Sequence, residues 1–177
     1  MDKKQKRSMT RGIILALLAI AIGYTVYASV TKDKVDVLQR GMDAPDFEVM
    51  DLEGNVHRLS DYKGQGVVLN FWGTWCEPCK REFPAIERQY KAFEEQGVHV
   101  LALNIAQSNL EVKNYVKNMG MTFPVAIDKT KSVMTAYNVT ILPATILINS
   151  DGKVEQIITG EMSESQIVAH MESIKPE

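Results

Sequence analysis

Leu69-Asn70-Phe71-Trp72-Gly73-Thr74-Trp75-Cys76-Glu77-Pro78-Cys79-Lys80 is the stretch whose reading decides the fold. An apolar run, Val67 to Trp72, leads into it without alternation, as a central strand covered on both faces would. A helical pattern starting at Lys80-Arg81-Glu82-Phe83 leads out. Between them lie the only two cysteines of the 177 residues, separated by two residues. Two thiols at the mouth of a strand-to-helix turn form a dithiol that can open and close as a disulfide. A purely structural disulfide is the weaker reading, because so short a closed loop removes little entropy from the unfolded chain.

The attacking species in exchange is a thiolate, and an ordinary cysteine has a pKa of about 8.5. Cys76 falls where the helix begins, where unpaired N–H groups and the helix dipole favour an anion. The reading therefore makes Cys76 the exposed attacking thiol and Cys79, one turn on, the buried resolving thiol. Pro78 suits a first helical turn, which needs no N–H from it. Glu77 adds a negative charge beside the thiolate and moderates its acidity. Glu82 lies three residues after Cys79. Spacing leaves two readings for it, a proton acceptor for the buried thiol or a solvated helix glutamate. Trp72 reads as core, whereas Trp75, directly before Cys76, is placed for partner contact.

Outward from this centre, a helix is expected from Cys76 to Gln96, striped by Ile86, Tyr90 and Phe93, kinked at Pro84 and stopped at Gly97. Strands are expected over Val98–Ile105, Phe123–Ile127, Ile141–Ile148 and Lys153–Thr159, with Pro143 at the entrance of the third. Helices are expected around Val112–Met119, over Ser132–Tyr137, and after an N-cap at Ser163. Upstream, Asp46–Met50 and Val56–Leu59 read as a hairpin. Alternating strands and helices give an α/β domain with a central mixed sheet.

The net charge of −2 hides an asymmetry. Residues 1–11 carry a net +4 and the remainder a net −6, so the body is not a nucleic-acid surface. Residues 12–31 contain no charge, and twenty helical residues span about 30 Å, one bilayer core. Tyr24 and Tyr27 fall near its outer end. The reading is a cytoplasmic basic segment (1–11), a transmembrane signal-anchor (12–31), a linker (32–43) and an extracytoplasmic domain (44–177). A cleaved signal peptide is the alternative, since Val26-Tyr27-Ala28 has the small-residue spacing of a cleavage site. Both export the domain. A zinc site would need about four ligands. With one Cys pair and scattered His57, His99 and His170, none is expected. No phosphate loop or Ser/His/Asp arrangement is evident, and no cofactor is expected.

The chain resembles the thioredoxin superfamily and, within it, the membrane-anchored ResA-type thiol-disulfide oxidoreductases of cytochrome c maturation. The resemblance covers the basic N-terminus and apolar segment, the early hairpin, Leu69–Lys80, Leu142-Pro143, and Asn149–Lys153 into Thr159-Gly160. It implies a thioredoxin-like fold with an extra N-terminal hairpin and a central insertion near Asn104–Asn109 and the following helix. It also implies a cis Pro143 facing the dithiol, a functional glutamate at Glu82, and partner contact by Trp75, Glu77, Pro78 and Pro143. Thioredoxin has a buried aspartate where this chain has Asn70, which leaves Glu82 to substitute. Gln107 stands where close relatives can carry an acidic residue, a departure from the family's pattern that removes a second carboxylate at this position. The implied activity is reduction of the Cys-x-x-Cys-His disulfide of apocytochrome c before haem attachment, with a membrane-embedded dithiol carrier as electron donor. Rival expectations are a disulfide oxidase, a reductase of another exported protein such as a spore-envelope enzyme, and a binding module with a passive disulfide.

Overall fold

The structure is a computed structural model that describes residues 3–30 and 37–176, and side chains over 12–27 and 37–176. Its contacts divide the chain into two units, Met1–Val37 and Leu38–Glu177. The first contains helix α1 (Lys3–Val30), whose apolar side chains, Ile13 to Tyr27, are exposed. Among the described residues no helix is long and apolar enough to cross a membrane. The described side chains of α1 cover only 12–27, a rise of about 24 Å, and the expected span runs on to Thr31, outside the described residues. Of the expected basic segment only the backbone from Lys3 onward is described, as the start of α1, and residues 32–36 of the expected linker lie outside the described residues.

The second unit holds a hairpin, β1 (Glu48–Met50) and β2 (Val56–Arg58), then a 3-10 turn over Leu59–Tyr62. There follow β3 (Gly66–Trp72), α2 (Glu77–Phe93), β4 (Val98–Ile105), α3 (Asn109–Met119), β5 (Val125–Asp128) and α4 (Ser132–Ala136). β6 (Ala144–Ile148), β7 (Val154–Thr159) and α5 (Glu164–Ser173) close the chain. Five strands form one mixed sheet in the order β5-β4-β3-β6-β7. β3, β4 and β5 run parallel, and β6 and β7 are antiparallel additions. This is the thioredoxin-like arrangement, with the hairpin as a separate two-stranded sheet. The hairpin is tied to β5 through the Leu52 N–H, which donates to the Val125 carbonyl at 2.9 Å.

Every residue of β3 is buried, which explains its lack of alternation. Its side chains still alternate between two cores. Val67, Leu69 and Phe71 join the core beneath the hairpin and α4. Val68 and Trp72 join the core under α2 and α5. Asn70 shares the second face by parity. Trp72 lies 4.9 Å, edge-on, from Phe83 of α2, and Phe83 continues the aromatic cluster to Phe123.

Several expected boundaries move. The expected helix over Cys76–Gln96 begins at Glu77, because Cys76 is extended and serves as N-cap, and its last three residues, Glu94–Gln96, are 3-10. Gly97 ends it in the left-handed conformation, as expected. The expected strand over Ile141–Ile148 begins only at Ala144. Pro143 has no N–H for a ladder, and Ile141 is solvent-exposed. Likewise the strand expected from Phe123 starts after Pro124, at Val125. Pro84 is exposed within α2, which continues through it.

Gly66 opens β3 under the C-terminus of α5. A Cβ at this position would lie 2.4 Å from the Ile174 carbonyl oxygen, a backbone atom that cannot swing aside. Gly66→Ala is therefore expected to lower the unfolding free energy by about 1–3 kcal/mol through overpacking. Urea unfolding measures this, and an unchanged midpoint would show that the α5 end yields freely.

Candidate active site

β3 ends at Trp72, and the chain turns through Gly73–Trp75 into α2. The turn is closed by the Cys76 N–H, which donates to the Gly73 carbonyl at 3.0 Å. Cys76 and Cys79 are joined as a disulfide, with Cα atoms 5.3 Å apart. The Cys79 N–H donates to Cys76 Sγ at 3.3 Å, so the sulfur itself caps the helix. Backbone N–H and helix dipole both point at the atom that would carry negative charge after reduction.

Cys76 is only 4% exposed, against 0% for Cys79. The expected order of exposure holds, but Cys76 is not the open thiol that the sequence suggests, because Sγ is turned inward onto its own helix terminus. The indole of Trp75 is 65% exposed beside it, and Trp72 is fully buried. Glu77 is exposed and pairs with Lys80 at 2.7 Å. That hydrogen bond holds its carboxyl below the usual range and offsets its charge, so Glu77 acts less on Cys76 than its sequence position suggests. Pro78, in the first turn of α2, is half-buried.

Pro143 is buried, and the Leu142–Pro143 peptide bond is cis. It immediately precedes β6, whose first residue, Ala144, pairs with Phe71 near the end of β3. Pro143 therefore lies at the same edge of the sheet as the disulfide turn.

Glu82 is 1% exposed, on the buried face of α2 one turn beyond Cys79. The solvated-glutamate reading is thereby excluded. Its Oε1 accepts from Asn70 Nδ2 at 3.0 Å and its Oε2 from the Met162 N–H at 3.1 Å. Burial pushes its pKa up to about 7, against the pull of these two donors, and nearby Glu161 adds to the rise. Asn70 also donates to Thr145 Oγ1 at 3.0 Å, directly across the β3–β6 register. Asn70, Thr145 and Asn104 are all buried on the strands behind α2, a polar seam in an apolar face. A carboxyl that titrates near 7, one turn from a buried thiol, can take that thiol's proton and return it.

The sequence reading missed Met162, Thr145 and Glu111. Thr145 and Asn70 had a signal, each being a polar residue inside an apolar strand. Glu111 is an exposed carboxylate bonded to Thr74 and Gln107. It is carried to the active-site loop by the first turn of α3, where its Oε1 accepts from Thr74 Oγ1 at 2.6 Å.

Residues 41–157 match the AhpC/TSA family. The chain is 49% identical over 174 residues to the thiol-disulfide oxidoreductase ResA of Geobacillus thermodenitrificans, covering 98% of this chain and 99% of that one. It is 48% identical to ResA of Bacillus subtilis, covering 98% and 97%. Among solved structures, a thioredoxin family thiol:disulfide interchange protein of Chlorobium tepidum superposes with a TM-score of 0.71 at 25% identity, covering 77% of this chain and 97% of that one. StoA from Bacillus subtilis superposes with a TM-score of 0.65 at 28% identity, covering 72% and 96%.

The position of Glu82 predicts a pH-dependent stability. Its folded-state pKa, about 7, lies above the ordinary 4.5. A raised value contributes stability that is fully present below the unfolded pKa and lost as pH rises through the folded one. Between pH 4.5 and 8 the oxidised chain should lose about 3 kcal/mol through this group. Urea unfolding across that window should show the decline in the natural protein and a flatter profile in Glu82→Gln. Parallel profiles would mean that Glu82 does not carry the dependence.

Proposed function

Because the chain belongs to the AhpC/TSA family and to the ResA thiol-disulfide oxidoreductases, we propose that it works as an extracytoplasmic reductase of apocytochrome c. The observation that carries this reading is a Cys76–Cys79 pair at the N-terminus of α2 with a buried carboxyl of pKa about 7 one turn below it. In the dithiol form, the Cys76 thiolate attacks one sulfur of the partner's Cys-x-x-Cys-His disulfide. A mixed disulfide forms, and the partner's other sulfur leaves as a thiolate and takes up a proton. Cys79 then passes its proton to Glu82 and attacks Cys76 Sγ. The partner's second sulfur leaves and is protonated. Two cysteines here are oxidised and one partner disulfide becomes two thiols. A membrane-embedded dithiol carrier reverses the balance by giving two electrons and two protons to Cys76–Cys79.

Trp75, Glu77, Pro78 and Pro143 form the partner-facing rim in this reading. The export of the domain and its tether to the cytoplasmic membrane are supported by the basic residues that precede the uncharged 12–31 segment and by the exposed apolar side chains of α1. A reductase of another exported protein uses the same site chemistry, and the fold shared with StoA supports it equally.

Two measurements test this proposal, the first between the two partners and the second between reductase and oxidase. Cys79→Ala cannot resolve a mixed disulfide, so partners should accumulate on Cys76 and c-type apocytochromes should dominate the trapped set. Consistent capture of other proteins in their place would favour the second reading. The reduction potential of the pair should lie near or below the thioredoxin value of about −270 mV, whereas a value near −120 mV would make the chain an oxidase.

A further inference from the structure

The loop before Cys76 is held from an unexpected side. Thr74 is gripped at two atoms by one side chain, that of Gln107. The Thr74 N–H donates to Gln107 Oε1 at 2.7 Å, and Gln107 Nε2 donates to Thr74 Oγ1 at 2.6 Å. Gln107 is itself held. Its Oε1 also accepts from Asn104 Nδ2 at 2.8 Å, its backbone N–H donates to Asn104 Oδ1 at 3.3 Å, and its Nε2 donates to Glu111 as well. The Thr74 hydroxyl completes the ring by donating to Glu111. Asn104 is fully buried at the end of β4, so the clasp is anchored in the core. Ala106, next to Gln107, has φ +55°, an unfavourable conformation for a residue with a Cβ. The chain accepts that conformation just where it turns from β4 to aim Gln107 at the loop.

The residues flanking Thr74 show what the clasp holds. A Cβ at Gly73 would lie 2.9 Å from Cε2 and Nε1 of Trp75, so the indole lies across the bare backbone of this glycine. Trp75 is nevertheless 65% exposed, while Cys76 beside it is nearly covered. Free rotation of such a loop would leave an exposed indole without a fixed place. Here its neighbour is fixed at both N–H and hydroxyl.

We propose that Gln107 is a positioning residue for partner selection: its amide fixes Thr74, and through it the Trp75 indole beside Cys76, so that polypeptide disulfides are favoured over small ones. The proposal rests on the protein-disulfide reading above. Only an amide performs the task, because the clasp needs an acceptor for two N–H groups and a donor for a hydroxyl and a carboxylate. A glutamate at 107 keeps the acceptor, loses the donor and faces Glu111 with like charge.

The test uses the reduced full-length chain, its Gln107→Met variant and a milder Thr74→Val variant, which removes the hydroxyl but keeps the N–H. Three disulfides are compared: oxidised glutathione, insulin, and a disulfide-closed Cys-x-x-Cys-His peptide. The loss of about one net hydrogen bond should lower the kcat/KM ratio of each polypeptide over glutathione about fivefold in Gln107→Met. The loss should enter through KM. Thr74→Val should shift the ratio less, in the same direction. Trp72 is buried, so acrylamide quenching reports Trp75, and quenching should change in both variants. Unchanged ratios in both variants, or equal falls for glutathione and the polypeptides, would overturn the role of Gln107. Failure of the natural chain to reduce the Cys-x-x-Cys-His peptide while it reduces insulin would instead count against the apocytochrome reading, and the insulin ratio would still decide the role of Gln107.

Discussion

A carboxyl group kept almost out of water, with two hydrogen-bond donors and no cation among its described partners, is the constraint on which the site depends. Glu82 receives one N–H from Asn70 and one from Met162. Two neutral donors do not repay the desolvation of a full charge. The group therefore sits near its midpoint at neutral pH, where a proton costs little to accept or release. A salt bridge to Glu82 would have locked it ionised. The available guanidinium is one residue away, on Arg81, and points outward to Glu161. Consecutive residues of α2 thus grip consecutive residues of the loop after β7, the charged pair outside and the titrating group inside.

This explains why polar residues interrupt the strands behind α2. Asn70 is a poor choice for a fully buried strand unless its amide has work, and it bonds both Glu82 and Thr145. β3, β6 and α2 are thereby joined at one point by hydrogen bonds as well as by packing. Loss of an amide here would leave buried acceptors bare, which costs more than the bond contributes.

Much of this was legible in the chain. The lack of alternation over Val67–Trp72 announced a doubly covered strand, and the spacing of Cys76 and Cys79 announced a disulfide at a helix mouth. The five sheet strands and the early hairpin follow the expected order. Boundaries shifted where a proline withheld an N–H, at Pro124 and Pro143. What local pattern could not show was which polar side chains converge. Glu82 looked the same as a surface glutamate, because periodicity places a residue on a face but does not say that Met162, 80 positions later, returns to cover it. Glu111 was hidden for the same reason: its meaning depends on where α3 begins relative to Thr74.

The near-burial of Cys76 is compatible with attack because the group that would stabilise its thiolate is already in place. The Cys79 N–H points at Sγ in the oxidised state, and the same bond becomes charge-assisted once the sulfur is anionic. No backbone rearrangement is needed to create the anion site, so the helix terminus favours the thiolate from the moment of reduction. Glu77 opposes this only weakly, since Lys80 shares its charge. The dithiol is held from two directions, by Gln107 and Glu111 on the loop before it and by Asn70 and Met162 on the carboxyl below it. On the proposed reading, the first set bears on which disulfide approaches and the second on where the resolving proton goes. They share no residue, so partner choice and proton transfer can be altered separately.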